Sequence, residues 1–353
     1  MKPCYINGLG CVSAQNTTGN QFLEDIAVYE TNILPVINPN YKDYIPPAAA
    51  RRMAKGVKMG VVASALALKE AGVKVPDAII TGTGMGCVQD SEKFVSAVID
   101  NDEQFLTPTS FIQSTHNTVG AQIALGLQCK AYNFTYVHAA VSFESCLLDA
   151  QLMFNENEAS NILVGGIDEH GEHTNVLHQL IGHIKKEEVG NTDLINSNTE
   201  GTIFGEGAVF FSLSDKKNEN SYAKLADVEI FSRLNRDELE TQINKFLERN
   251  NLSVDTLDAV VLGNNGDIDF DAYYKNLQEG IFKGTQQIYY KHLCGEFNTA
   301  SSFGCWVASN ILKQQDIPEI IKINNIGSKS YKNVLLYNQY RGENHSLVLL
   351  QSC

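Results

Sequence analysis

The sequence predicts a layered α/β fold of two similar βαβαβ-type halves, and three observations carry that reading. Short apolar runs bounded by glycine alternate with segments of helical periodicity along most of the chain. The alternation occurs twice, before and after the polar stretch Asp215–Ser221. The length of 353 residues suits one large domain of two related parts, or two domains of ordinary size. The halves are accordingly drawn as 1–215 and 222–353.

Each element follows from a local pattern. Residues 4–8 read as a short strand, and the proline-rich segment 31–49 as irregular chain. Between Lys55 and Ala71 the apolar positions Val57, Met59, Val61, Val62, Ala65, Leu66 and Leu68 recur at helical spacing, and Gly72 supplies the stop. Asp77–Thr81 is a buried strand that enters the glycine turn 82–86. Asn117–Gly126 reads as a helix, Ala131–Val137 as a strand, Ser142–Phe154 as a helix, Asn161–Gly166 as a strand, and Ala208–Leu213 as the strand closing the first half. In the second half a strand begins near Ala223. It is followed by a helix over about Arg236–Asn250, a strand at Leu257–Leu262, a strand-like piece at Gln287–Tyr290, a helix start at Asn298–Ser302 and a last strand at Ser346–Leu350.

Composition narrows the function. With 43% hydrophobic and 19% charged residues the chain is a globule rather than a disordered polymer. Lys and Arg number 27 against 41 Asp and Glu, and the resulting charge of −14 opposes phosphate backbones and anionic lipid. Neither nucleic acid nor membrane is an expected partner. The start lacks a basic segment followed by an apolar one, and no window of 18 apolar residues occurs, so a cytoplasmic location is expected. The eight cysteines are scattered without a CxxC pair and read as buried, reduced thiols. From Phe105 to Phe143 only Lys130 is charged. That stretch predicts the buried centre of the fold together with a subunit interface.

Two motifs are weighed and set aside. Gly82, Gly84 and Gly86 follow a strand, but Cys87 stands where a GxGxxG turn needs its third glycine. His170, His173, His178 and His183 fall within fourteen residues, but their spacings of three, five and five do not share one helical face. A polar loop and helix start is the expected reading, with no metal and no cofactor.

Other motifs converge. Tyr5-Ile-Asn-Gly-Leu-Gly-Cys-Val-Ser13 is similar to V-T-G-L-G-x-x-S, and Arg51-Arg52-Met53 to an R-K-M helix start. Gly82–Gly86 is similar to G-S-G-x-G, Val164–Glu169 to the G-G-x-E region, and Gly201-Thr-Ile-Phe-Gly-Glu-Gly-Ala208 to G-F-x-x-G-E-G-A. Together they resemble the β-ketoacyl synthases, the condensing-enzyme branch of the thiolase fold, over nearly the whole chain. In that family a cysteine at a strand-to-helix elbow attacks an acyl thioester, and two histidines stabilise the enolate formed on decarboxylation.

By register the resemblance places altered residues at every chemical position. The elbow T-A-C-x-x-S falls on Val137–Ser142, with Ala139 for the nucleophile. The first histidine falls on Asn265 and the second on Glu296, while the lysine of the same motif is retained as Lys291. A carboxylate at 296 opposes a developing oxyanion. The family's C-terminal G-F-G-G-T-N-G loop becomes Gln339–His345, in which Gly342 and Asn344 persist while Arg341 and Glu343 add bulk and charge. Cys146, two turns beyond Ala139, is expected to face helix packing, and His138 the opposite side of its strand.

The resemblance therefore implies a catalytically degenerate subunit similar to a chain-length factor of type II fatty acid or polyketide synthesis, with aryl polyene and flexirubin pathways as candidates. It would partner an active ketosynthase across a central-strand interface, with an acyl carrier protein as further partner. Phe111, Gln113, Thr115, His116, Asn117 and Tyr340 are the tunnel or interface candidates, and Arg51, Arg52, Lys55 and Lys58 a basic patch for the acidic carrier. The alternatives are a homodimer that binds an acyl chain or carrier protein, and a malonyl-carrier-protein decarboxylase.

Overall fold

The computed structural model describes residues 2–18, 22–327 and 329–353. In chain order its elements are β1 (Tyr5–Val12), α1 (Pro47–Ala50), α2 (Lys55–Ala71), β2 (Ala78–Gly82), α3 (Val88–Asp100), α4 (Pro108–Ser114), α5 (Thr118–Leu127), β3 (Tyr132–Tyr136), α6 (Ser142–Glu156), β4 (Asn161–Asp168), α7 (Glu172–Leu180) and β5 (Gly207–Ser214). The second half continues with β6 (Ala223–Ser232), α8 (Arg236–Arg249), β7 (Ala259–Leu262), α9 (Ile268–Glu279), β8 (Gln286–Tyr289), α10 (Lys291–Cys294), α11 (Ser301–Gln314), β9 (Asn333–Tyr340) and β10 (Asn344–Gln351).

The strands hydrogen-bond in the order β3-β2-β4-β5-β1-β6-β10-β9-β7-β8. Counted from either edge inward, each half places its third strand first, then its second, fourth, fifth and first. Among the described strands, the two halves of the sheet pair through β1 and β6, at Tyr5↔Lys224 and Ile6↔Ala223. Around that narrow junction the apolar core is shared: α6 and α11 bury Phe143, Leu147, Phe303 and Val307 against Ile162 and Phe211 of one half and Val261 and Leu336 of the other. The outer face of the first half is covered by α2 and α5, and that of the second by α8 and α9. The result is five layers, helices alternating with sheet.

Local chemistry fixes the elements that matter most. Gly10 faces α2 so closely that a Cβ there would overlap the Ala63 carbonyl, which gives the glycines of the first motif a packing reason. Gly72 ends α2 in the left-handed conformation at φ +70°. Asn235 and Glu238 form a capping box on α8, and the Asp267 side chain accepts from Asp269 N at 3.1 Å to start α9.

Elements outside the sequence reading include the short α1 and α10, the helices α4 and α9, and β9, whose Asn333–Tyr340 run is buried on both faces and lacks a period-two pattern. The charge-free stretch also differs from expectation. It is not the centre of the fold, and its strand β3 is an edge strand rather than a central one. The strand pairs only with β2 among the described strands, and Phe111, Ile112, Leu125, Phe134 and Val137 are exposed. At the opposite edge β8 is covered by the segment after α11, through Ile323 N to Gln287 O at 2.9 Å and Gln287 N to Asn324 Oδ1 at 2.8 Å.

Candidate functional site

The strands β2, β3 and β4 run parallel, as do β7, β8 and β9. In such sheets the segments beyond the carboxyl ends gather into one crevice. The segments are 83–86, 137–141, 169–171, 263–267, 290–296 and 341–343, and they hold the positions named for the elbow, the two histidines and the loop.

Ala139 sits in the left-handed region at φ +45°, in a short 3-10 turn leading into α6. Ser142 holds the bend: its Oγ accepts from His138 N at 2.8 Å and lies 2.7 Å from Ala139 O and 3.0 Å from Thr83 O. The sharp strand-to-helix bend is kept while its side chain is a methyl group. Cys146 is fully buried, its Sγ 3.1 Å from Ser142 O, and burial reinforced by Glu144 and Asp149 pushes its thiol well above the ordinary range. It faces helix packing and offers no thiolate.

Asn265, Lys291 and Glu296 come together. Glu296 Oε2 accepts from Asn265 Nδ2 at 2.7 Å and from Lys291 Nζ at 2.7 Å, with Lys291 fully buried and Glu296 2% exposed. The donors that such a crevice could turn toward an oxyanion are therefore directed at a carboxylate of the chain itself. The backbone holds the arrangement: Asn265 N and Gly266 N donate to Asp271 at 2.9 Å each, and Glu296 N donates to Ile203 O at 2.9 Å. The cavity bounded by Glu296, Phe204, His178 and Asn298 holds about 40 Å³, room for a water rather than an acyl chain.

Two neighbouring carboxylates organise the crevice, and sequence reasoning had assigned neither a role. Asp168 accepts from Thr83 Oγ1, Gly84 N and Met85 N on one side and from Thr299 N and Oγ1 on the other, tying the glycine turn to the segment after Glu296. Glu169 accepts from Gly56 N at 2.5 Å and Gln89 N at 3.0 Å, the first turns of α2 and α3, so one side chain caps two helices. Burial, only partly offset by those donors, raises its carboxyl to about 7. Their signal was the Asp168-Glu169 pair at the end of a glycine-bearing strand.

Arg341 is held across the mouth. Its guanidinium lies 3.5 Å from Asp267 Oδ2 and stacks on Phe270 at 4.5 Å. His178 and His183 share a hydrogen bond between their Nδ1 atoms at 3.1 Å, and burial, with Arg341 nearby, lowers His183 to about 4. His170 instead contacts Glu206, and among the described residues no group of three or more His, Cys, Asp or Glu is placed to hold a metal.

The remaining candidates separate. Gln113 is buried and accepts from Ala54 N at 3.1 Å, an anchor for the start of α2. Thr115 Oγ1 pairs with Thr118 Oγ1 at 2.6 Å, Asn117 precedes α5, and His116 packs on Gly86. Phe111 packs against Phe94 with the rings tilted and their centroids 5.2 Å apart, and it is 54% exposed. Tyr340 is half-buried at the end of β9, its hydroxyl raised to about 12 by burial and by Glu296. Of the basic patch, Arg51 and Arg52 are exposed, whereas Lys55 is paired with buried Glu206 and Lys58 rests over Tyr41.

Comparison with known proteins gives the family. The family described as Beta-ketoacyl synthase, N-terminal domain, matches residues 39–218. No curated protein matches the sequence. The fold is similar to that of an ishigamide ketosynthase/chain length factor at a TM-score of 0.84 and 14% identity, over 100% of this chain and 99% of that one. It is also similar to a β-ketoacyl synthase from Burkholderia phymatum at 0.81 and 15%, over 100% of both chains. A ketosynthase in complex with its chain length factor from Xenorhabdus doucetiae follows at 0.74 and 13%, over 100% of this chain and 98% of that one. At such identities the likeness speaks to the fold alone, which is the thiolase-like α/β fold of ketosynthases. Among the described residues no helix is long and apolar enough to cross a membrane.

Proposed function

The chain belongs to the β-ketoacyl synthase family, and from that membership we propose that it is a non-condensing subunit which partners an active ketosynthase and acts as its chain-length factor. One observation carries the reading: at the crevice Glu296 takes the hydrogen bonds of Asn265 and Lys291, while the elbow carries Ala139. Thioester attack needs a nucleophile, and enolate stabilisation needs free donors. The same observation weighs against a malonyl-carrier-protein decarboxylase, since the Asn265 amide that such chemistry would use is engaged. The 40 Å³ cavity beside Glu296 weighs against storage of an acyl chain at that point of the crevice.

The partner surface in this proposal is the β3 edge, where Tyr132, Phe134 and Tyr136 form a ladder with ring centroids 6.0 and 4.9 Å apart. An edge strand with exposed aromatic side chains is suited to strand addition by another subunit. Two of the structural neighbours are themselves described with a chain length factor, in keeping with the proposal. Phe111 is the tunnel candidate that projects outward, whereas Gln113 serves α2. An acidic carrier protein would meet Arg51 and Arg52 on this chain.

The test is co-expression with an active ketosynthase encoded nearby, followed by native mass and condensation assays. A 1:1 complex whose partner extends chains only in the presence of this subunit is expected. A self-dimer that ignores every such ketosynthase would overturn the proposal.

A further inference from the structure

The pairing of the central strands leaves a cavity at the seam between the two halves. β1 bonds to β5 along its whole length, but it meets β6 at Tyr5 and Ile6. Past Ile6, side chains stand in for the missing strand: Glu70 Oε2 accepts from Leu9 N at 2.7 Å, and Thr17 Oγ1 donates to Cys11 O at 3.0 Å. The cavity that opens here holds about 450 Å³, within the range of small-molecule sites. Its walls are the end of α2, the edge of β1, Tyr222 and one side of α11. Among the described residues it shares no lining side chain with the space beside Glu296.

The α11 wall carries the recognition chemistry. The helix is buried from Ser301 to Leu312, and Trp306, Asn310 and Gln314, spaced i, i+4, i+8, run along the cavity as one stripe. Trp306 and Asn310 are 5% and 6% exposed. Asn310 Nδ2 donates to Trp306 O at 2.9 Å, which leaves the Asn310 Oδ1 acceptor and the Trp306 indole N–H donor without a hydrogen-bond partner among the described residues. A donor and an acceptor one helical turn apart are satisfied together by a group that offers an acceptor beside a donor, and an amide edge is such a group. The rest of the lining sets the body and charge of the ligand. Phe22, edge-on to Trp306 with centroids 5.5 Å apart, joins Tyr44 and Tyr222 as ring surfaces against which a flat molecule packs. Lys69 and Glu70 are the charged side chains of the lining, one of each sign, and Glu70 also accepts from Tyr222 Oη at 2.6 Å. That balance favours an uncharged ligand over an anion or a cation.

We propose that the seam between β1, α2 and α11 is a binding site for an uncharged, planar cyclic amide of nucleobase size, held by the Trp306 N–H and Asn310 Oδ1. The proposal does not rest on the chain-length-factor reading.

Trp306 is the chain's only tryptophan, so its fluorescence reads the cavity directly. The full chain is titrated with uracil, with N,N′-dimethyluracil, which keeps the ring but has no N–H, and with orotate and uridine monophosphate, which add negative charge. Uracil is expected to saturate the signal at a single site, with half-saturation at about 1 mM or below. The dimethyl compound should bind at least about tenfold more weakly because it leaves Asn310 Oδ1 unpaired. Both anions should also be weaker than uracil, since Glu70 opposes them. Asn310→Leu should weaken uracil by about tenfold or more. Gln314→Phe, at an exposed position on the same stripe, should block the cavity and abolish the saturable response while leaving the melting temperature unchanged. Should Asn310→Leu fail to fold, Gln314→Phe decides. A response to uracil that rises without saturating, equal curves for uracil and its dimethyl analogue, tighter binding of either anion, or saturable binding unmoved by Gln314→Phe would each overturn the proposal.

Discussion

The carboxylate of Glu296 and the ammonium of Lys291 are both removed from water, and each is tolerable because the other is 2.7 Å away. Removing one leaves the other buried and uncompensated. Glu296→Ala is therefore expected to lower unfolding free energy by about 3–5 kcal/mol in urea titrations. Glu296→Gln, which keeps the shape and an acceptor for Asn265, should cost less. Glu169 gives a pH signature. Its carboxyl is raised from 4.5 to about 7 by burial, so the native state holds its proton more tightly than the unfolded state does. The associated stability is fully present below about pH 4.5 and is lost as pH rises through about 7. Melting temperatures across that window should fall less steeply in Glu169→Gln than in the parent; parallel curves would refute this.

At the scale of elements, the chemistry was more legible in the sequence than the surroundings of the chemistry. The α2 boundaries, Lys55 to Ala71, followed from periodicity and Gly72, because an amphipathic helix with a glycine stop writes both its face and its end into the chain. The register of known motifs singled out Ala139, Asn265, Lys291 and Glu296. It did not reveal that the last three bond to one another, since residues separated by up to 31 positions meet only through the β7 and β8 loops. The charge-free region, read as the centre of the fold together with a subunit interface, is not the centre, because composition alone does not tell a buried core from an apolar stretch exposed at a sheet edge. β9 was missed because a strand buried on both faces has no alternation to detect. The first motif, by contrast, makes a direct prediction: Gly10→Ala on β1 would drive a methyl group into the α2 backbone. A loss of about 1–3 kcal/mol by chemical denaturation is expected, as for overpacked cores.

For the molecule as a whole, stability and partnership are linked. A ketosynthase that binds only the folded chain raises its apparent stability by mass action, by about 2.7 kcal/mol when free partner exceeds the dissociation constant a hundredfold. Under the proposed assignment, co-purified complex should melt higher than the chain alone. Phe134→Lys should abolish that increment while leaving the melting of the isolated chain unchanged, because Phe134 is 45% exposed and lies outside the core. A variant that melts low by itself would point instead to a folding role for β3.

The two ends of the sheet are not equivalent, although the strand order reads the same from each. The β8 edge is covered by the chain's own 321–324 segment, whereas β3 is open among the described residues. A subunit with two open ends would be divalent, and head-to-tail addition could then continue into a fibre. With one end stoppered the valence along the sheet is one, so strand addition stops at a pair whichever partner arrives. The short segment after α11 thus acts as a chain terminator for polymerisation.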